Sequence, residues 1–307
     1  MSKGREKVME LRLLRYFLTA AQEKNITRAA EYLYITQPTL SRQLTQLEDE
    51  LGVQLFDKSA RRLELTEAGQ LLRRRAEEIL ELVDKTEKEM ASGEEEEGTV
   101  SLCCGEIGSV QVIADLFCAF REKYPRIHLE LYAANAELAS ERLEQGLADM
   151  AVFLEPADLT NYEYIRLPFK ERWAVLLPAG DPLCEKAVIE PSDLDGKNLI
   201  FPWRSMVKKE LRNWFGPYFS KIGQTMDCNM STNASVLVYK GLGYSLCIEG
   251  ARPFLDESRV CRRPLSPPIE TGVVLVWRKH TPFSRAVENF AAFARKYLKD
   301  GYEARVL

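Results

Sequence analysis

The chain has 307 residues, 46% apolar and 29% charged, which suits about two or three soluble domains with filled cores. A formal charge of -4 argues on its face against a nucleic-acid partner. The charge is uneven, however: residues 1–75 carry 14 Lys and Arg against 10 Asp and Glu, and residues 76–307 carry 28 against 36, so a small basic module precedes a larger acidic one.

Met9–Ala21 has a helical period, with Leu11, Leu14, Leu18 and Ala21 on one stripe and Phe17 beside it. Lys24, Asn25 and Ile26 break it. Thr27 is the expected cap of a second helix over Arg28–Leu33, whose Ala29 and Ala30 let a neighbouring helix come close. Tyr34 and Ile35 form the turn. Thr36 is then the expected N-cap of a third helix, with Pro38 in the first turn, where its missing N–H costs little, and Gly52 at the end. Lys58–Arg62 reads as a basic turn and Leu63–Leu65 as a short alternating strand. Together these elements predict a winged helix-turn-helix over residues 1–65.

Thr66 opens a long helix, taken as a linker and dimerisation helix over 66–91. Leu72, Ala76, Ile79, Leu80, Val83 and Met90 give it an apolar side. A helix of this length is expected to bury that side against a partner copy. Residues 91–98 are polar and read as a hinge. From Thr99 strands and helices alternate with short connections, which predicts an α/β domain over 92–307. Strands are expected at 99–104, 127–132, 150–153, 164–167, 172–177, 199–201, 243–248 and 272–277. Helices are expected at 110–123, 136–146, 207–218, 232–240 and 283–298.

The third helix begins with unusually polar residues around a stripe of Leu40, Leu44 and Leu47. In a helix-turn-helix this helix enters the major groove with its N-terminal residues on base edges. Gln37, Thr39 and Ser41 are short or amide side chains able to bond base edges, and Arg42 suits a phosphate or a guanine. Thr36 and Pro38 sit at the helix start, where free N–H groups can meet phosphate, and Thr45 lies one turn further on. Lys58, Arg61 and Arg62 are candidate backbone or minor-groove contacts from the wing. Taken alone, a pair such as Arg61 and Arg62 is more often solvated than a DNA contact. The ordered set of helix, Ala-Ala helix, tight turn, polar capped helix, basic wing and long helix is the sharper signal.

This order resembles the LysR-type transcriptional regulators. The resemblance rests on Phe17, Asn25–Leu33 (NITRAAEYL), Thr36–Arg42 (TQPTLSR), Leu47 with Glu48, Leu51–Phe56 (LGVQLF) and Leu65–Gly69 (LTEAG). It continues more weakly through Phe120 with Tyr124 and Pro125, Gly146 with Asp149, Asp181–Leu183, and Gly241–Tyr244. The family often has Arg where this chain has Lys58, which keeps the cation but loses a bidentate fork. The resemblance implies a periplasmic-binding-protein-like effector domain of two α/β lobes joined by two crossing strands. Here lobe I would take about 99–166 and 270–300, and lobe II about 167–269. It further implies double-stranded promoter DNA as partner, a dimer through the linker helix and a tetramer as the working form, and it allows contact with RNA polymerase.

Open α/β sheets bind ligands beyond the C-terminal ends of their strands. Candidate effector residues at those ends are Glu106, Ser109, Trp203, Arg204, Ser205, Thr232 and Glu249. Ser109 and Thr232 lie at helix starts whose N–H groups favour an anion, and Arg204 could clamp a carboxylate. Those features point to a monocarboxylate or a zwitterion. Glu106 and Glu249 place negative charge nearby and point instead to an amine. Ser109 and Thr232 could equally be simple caps, Arg204 could pair with an acid of the protein, and Trp203 could pack as core.

Other classes fit less well. The only histidines are His128, on the polar side of a strand, and His280, in a loop, and no Ser or Cys has a convincing base beside it, so no catalytic residues and no cofactor or metal are expected. The seven cysteines are scattered without C-x-x-C spacing, and residues 202–220, where redox-switching relatives carry a reactive pair, contain none. A solute-binding protein would need an export signal, and none is read, nor any 18-residue apolar run, so the expected setting is cytoplasmic without membrane contact.

Overall fold

A computed structural model describes residues 9–57, 63–91, 97–203, 205–254, 256 and 258–299. The chain divides into two compact units, 1–91 and 92–307.

In the first unit, α1 (Leu11–Glu23) ends where Lys24 turns left-handed at φ 50°. Next comes α2 (Ile26–Tyr32). Its cap is Asn25 rather than Thr27: the Asn25 side-chain oxygen accepts the N–H groups of Thr27 at 2.9 Å and Arg28 at 3.1 Å, so the helix starts two residues earlier than expected. Tyr34 takes the turn with φ 55°. Then α3 (Gln37–Leu51) follows Thr36, whose hydroxyl bonds that of Thr39 at 2.8 Å, and Gly52 closes it at φ 72°. Leu13, Phe17, Ala20, Ala29, Ala30, Leu40, Leu44 and Leu47 are buried together with Leu55 and Phe56.

A short antiparallel pair, β1 (Phe56–Asp57) and β2 (Glu64–Leu65), follows α3. Its entry is fixed by Glu48, which is buried and accepts the Leu55 N–H at 2.7 Å and the Phe56 N–H at 3.2 Å. The Thr66 hydroxyl donates to the Gln54 carbonyl at 2.7 Å and accepts the Gly69 N–H at 3.0 Å, starting α4 (Glu67–Ala91). At Gly69 a Cβ would stand 2.1 Å from the Leu55 carbonyl oxygen, so only glycine lets α4 pass this close. Within this unit α1 packs along α4: Ala76 is fully buried, Ala68 and Leu72 join the helix-turn-helix core, and Arg15 pairs with Asp84 at 3.2 Å. Part of the apolar side expected to await a second copy is therefore covered by the chain itself, while Leu71, Leu82 and Met90 stay exposed.

The second unit begins with β3 (Gly98–Cys104), α5 (Val110–Lys123), β4 (Ile127–Ala133), α6 (Ala136–Glu144) and β5 (Met150–Leu154). The three strands are parallel in the order β4-β3-β5. The Asp149 carboxylate ties the start of β5 to β3, accepting the Ser101 N–H at 2.8 Å and hydroxyl at 2.7 Å in a buried site. A single 17-residue strand, β6 (Tyr162–Pro178), then leaves this lobe, where two strands were expected over 164–167 and 172–177. The second lobe contains β7 (Asn198–Pro202), α7 (Ser205–Phe215), β8 (Gly223–Cys228), α8 (Ser231–Tyr239), β9 (Tyr244–Ile248) and β10 (Val260–Pro264). Here β9, β7 and β8 run parallel, and the end of β6 pairs with β9 on one side and β10 on the other. The return strand β11 (Glu270–Arg278) pairs with β5 and with the first part of β6, and α9 (Arg285–Lys299) packs back on β3. Both lobes thus share β6 and β11 as their crossing strands. Helices cover both faces of each sheet, as buried parallel strands require.

The Asp181–Leu183 and Gly241–Tyr244 segments meet in the second lobe. Asp181 accepts the Tyr244 hydroxyl at 2.6 Å on one oxygen and the Leu183 N–H at 2.8 Å on the other. Burial, with the Asp181 carboxylate, pushes the Tyr244 phenol up to about 12.

Candidate DNA-reading face and effector cleft

Leu40, Leu44 and Leu47 fix the orientation of α3 by burying one side. Gln37, Ser41 and Thr45, spaced four residues apart, therefore line up on the other side with Pro38 and Arg42, along a shallow open face. Ser41 is half-buried, and Thr36, Gln37, Pro38, Thr39, Arg42 and Thr45 are exposed. The same face ends in Asp49 and Glu50. Its chemistry runs from amide, hydroxyl and guanidinium at the helix start to carboxylates at the helix end. Against a polyanion, only the start is compatible with close approach. Lys58, Arg61 and Arg62 lie outside the described residues.

In the second unit the carboxyl ends of β3, β5, β7, β8 and β9 open on one cavity of about 140 Å³ between the lobes. Its walls include Ile107, Val152 and Leu154 from the first lobe and Val207, Met230 and Leu246 from the second, with Trp173 of β6 between them. Polar groups reach it from Glu106, Asn135, Glu137, Asn229, Ser231 and Ser245. Glu106 crosses to the opposite lobe. One carboxylate oxygen accepts the Thr232 hydroxyl at 2.6 Å and the other accepts the Thr232 N–H at 3.0 Å. Thr232 stands in the first turn of α8, so the negative charge meets the positive end of that helix.

Residues 11–70 match the family model "Bacterial regulatory helix-turn-helix protein, lysR family", and residues 93–299 match "LysR substrate binding domain". The chain belongs to the LysR family of transcriptional regulators. It is 29% identical over 296 residues to the Hca operon transcriptional activator HcaR of Escherichia coli strain K12, covering 94% of this chain and 98% of that one. The same fold occurs in the crystal structure of the LysR-family regulator CbnR, with a TM-score of 0.75, 19% identity and coverage of 95% and 100%. It occurs again in full-length CbnR complexed with its target DNA, with a TM-score of 0.71, 20% identity and coverage of 94% and 99%. Like its family, this protein is a DNA-binding transcription regulator with an effector-binding domain. Members of the LysR family are transcriptional regulators rather than enzymes, and no helix among the described residues is long and apolar enough to cross a membrane.

The inter-lobe cavity of this LysR-family chain differs in several residues from the effector site expected. Ser109 and Thr232 do stand at helix starts, but neither offers a vacant N–H to an anion. Ser109 is fully buried and its N–H donates to the Glu171 carboxylate at 2.6 Å, while Thr232 is taken by Glu106. The protein's own carboxylates hold both positions. Glu249 is absent from the cavity lining and lies in a separate depression with Gly108, Glu171 and Arg262. Trp203 is 62% exposed at the cavity rim rather than packed as core. Arg204 lies outside the described residues, and Ser205 begins α7.

Sequence reasoning missed Asn135, whose side-chain oxygen caps α6 by accepting the Leu138 N–H at 2.9 Å, and the apolar lining from Ile107, Val152, Trp173 and Met230. It also missed Glu171. The alternation of β6 sends this carboxylate inward between charged Lys170 and Arg172, which pair outside with Glu270. Burial raises Glu171 above the ordinary carboxylate range, with the Glu249 charge adding to this. Bonds from Ser109 and from the Gly108 N–H pull it back. Around it the lobes meet backbone to backbone: a Cβ on Gly250 would stand 2.4 Å from the Gly108 Cα.

Cys103 and Cys104 point to opposite faces of β3, each into a different core, and burial pushes the Cys104 thiol up to about 12. Burial likewise raises Cys247 and Cys184 to about 12, where a thiol is a poor nucleophile at neutral pH. His128 is exposed on β4.

Proposed function

We propose that this LysR-family protein reads duplex promoter DNA through Gln37, Thr39, Ser41 and Arg42 at the start of α3, with Thr36, Pro38 and Thr45 beside them and Lys58, Arg61 and Arg62 as the basic wing. A small molecule in the inter-lobe cavity sets that reading. The domains are assigned as 1–65 for DNA, 66–91 as the linker helix and 92–307 for the effector. The working protein is a cytoplasmic homodimer or homotetramer, with RNA polymerase as a candidate partner at the promoter.

The observation that carries the effector reading is the Glu106–Thr232 contact across the cavity. A ligand there touches both lobes and the group that joins them, so it can favour one lobe arrangement over another. Such differential affinity is what a ligand needs in order to shift an equilibrium. A carboxylate effector is not supported at Ser109 or Thr232, because both N–H groups are engaged by the protein.

The test is footprinting of the full chain on the region upstream of its own gene, with and without a panel of small metabolites. Protection of one site that changes extent or position with a metabolite is the expected result. Protection that is uniform along the fragment, and equal on unrelated duplex, rules out the sequence-specific reading.

A further inference from the structure

The charge of the cavity wall names the chemical class of its ligand. This inference rests on the reading of the cavity as the effector site. Among the described residues that line it there is no Lys, Arg or His, yet the Glu106 carboxylate crosses it, and Glu137 stands exposed at its edge. The remainder of the wall is apolar or neutral. A carboxylate brought into that space would lose hydration, find no cation among the described lining residues and face the like charge of Glu106, which is the costly way to bury an ion. An ammonium group meets the opposite situation. Each Glu106 oxygen accepts one bond from Thr232, and a carboxylate oxygen has a second lone pair to offer.

Size narrows the class further. The cavity measures about 140 Å³, and an apolar cavity of about 150 Å³ accommodates a benzene ring. Trp173 and the rim residue Trp203 line the cavity, and indole rings attract a cation as well as an aromatic ring.

We infer that the effector is an amine with an apolar body the size of one ring, its ammonium group held by Glu106 at the junction of the lobes. The same Glu106 both bridges the cleft and recognises the ligand, so the bound cation would sit directly on the contact that joins the lobes.

The experiment is calorimetric titration of the full chain with benzylamine and with benzoate, which share a ring and differ in charge. Benzylamine is expected to bind at least tenfold more tightly than benzoate. Glu106→Gln, which can still accept from Thr232, is expected to weaken benzylamine at least tenfold and to bring the two probes together. Ala234→Phe, which fills the cavity from α8, is expected to remove benzylamine binding, with circular dichroism checking that both variants fold. Benzoate binding as tightly as benzylamine overturns the assignment of class. If Ala234→Phe removes that benzoate binding, the cavity remains the effector site, and its loss in Arg204→Ala would name the missing cation. Benzylamine binding that survives Ala234→Phe overturns the cavity as the site. Failure of both probes to bind up to their solubility limits overturns the ring-sized amine.

Discussion

Glu106 and Thr232 lie 126 residues apart in the chain and meet across the cleft through two hydrogen bonds, at 2.6 and 3.0 Å. One partner is charged, so each bond is of the stronger kind. Replacing Glu106 with Ala leaves the Thr232 N–H at a helix start without its carboxylate and removes the link between lobes. The expected loss is about 1.5–3 kcal/mol in the unfolding free energy of the effector domain, read by urea denaturation of the full chain. Thr232→Val removes only the hydroxyl bond and should cost less. Equal stability of Glu106→Ala and the parent would mean that the contact contributes nothing to lobe closure.

Glu48 does a comparable task in the helix-turn-helix. It is buried at the end of α3, and one oxygen gathers the N–H groups of Leu55 and Phe56. Glu48→Ala strands two donors near the core and is expected to destabilise the first unit by about 1.5–3 kcal/mol. Glu48→Gln keeps an acceptor oxygen and should recover most of that. The same variants should lose operator affinity in the same order, because this bond pair sets where the chain leaves α3 for β1. Operator binding by Glu48→Ala that matches the parent would show that the wing finds its place without it.

Much of this was legible beforehand. The spacing of Leu40, Leu44 and Leu47 fixed which side of α3 faces out, and the alternation of Cys103 and Cys104 fixed their opposite faces. What escaped were features set by tertiary partners. Asn25 and Thr27 both cap well, and nothing local chooses between them. Gly223–Cys228 (GQTMDC) has no apolar run because β8 is an edge strand, paired only with β7, and so did not read as a strand. Separate strands are expected at 164–167 and 172–177, yet β6 runs on through Pro168 where the ladder to β11 has its irregularity. The vacant helix ends expected at Thr232 and Ser109 are occupied by Glu106 and Glu171, in that order. The distances along the chain, 126 and 62 residues, leave no local trace of those pairings.

Glu171 predicts a pH dependence. Its folded-state value is raised above the ordinary 4.5 by burial, with Glu249 nearby and Lys170, Arg172 and Arg262 around the same depression. A raised carboxylate favours the folded protein when protonated. Its contribution is full below the unfolded value and is lost as pH rises through the folded value. The parent should therefore lose stability relative to Glu171→Gln as pH rises from about 4 to about 7, measured by denaturant midpoints at each pH. A constant difference between the two proteins over that range would show that Glu171 does not titrate differently in the folded state.

The DNA-reading assignment separates two kinds of contact. Gln37 is exposed at the start of α3 and is assigned to a base edge, so Gln37→Ala should relax preference at one operator position, at a cost of about 1–3 kcal/mol for the preferred sequence. Arg42, one turn further, should weaken binding to every duplex when changed to Ala and should lower the salt dependence. Fluorescence anisotropy with selected and scrambled duplexes at two salt concentrations distinguishes them. Affinity of Gln37→Ala for the selected operator within twofold of the parent would remove Gln37 from the reading set.

Because α1 covers part of α4, the surface left for a partner copy is narrower than the whole apolar side. Ala76 and Leu72 are engaged within the chain, so substitutions there would report on the fold of the first unit rather than on pairing. Leu71 and Leu82 are 55% and 42% exposed and lie 11 residues apart, three turns along one side of the helix. Such a side is suited to a second copy, and two reading heads on a twofold axis suit a palindromic site. Light scattering of the parent should give the mass of two chains or more. Leu71→Glu combined with Leu82→Glu should shift that mass towards one chain while circular dichroism stays unchanged, because both side chains are exposed within the chain. Operator affinity should fall with the mass, since each half-site would then be held alone. A double variant that keeps the parent's mass would place the dimer contact elsewhere on the protein, and a parent that runs as a single chain at every concentration would exclude pairing through α4.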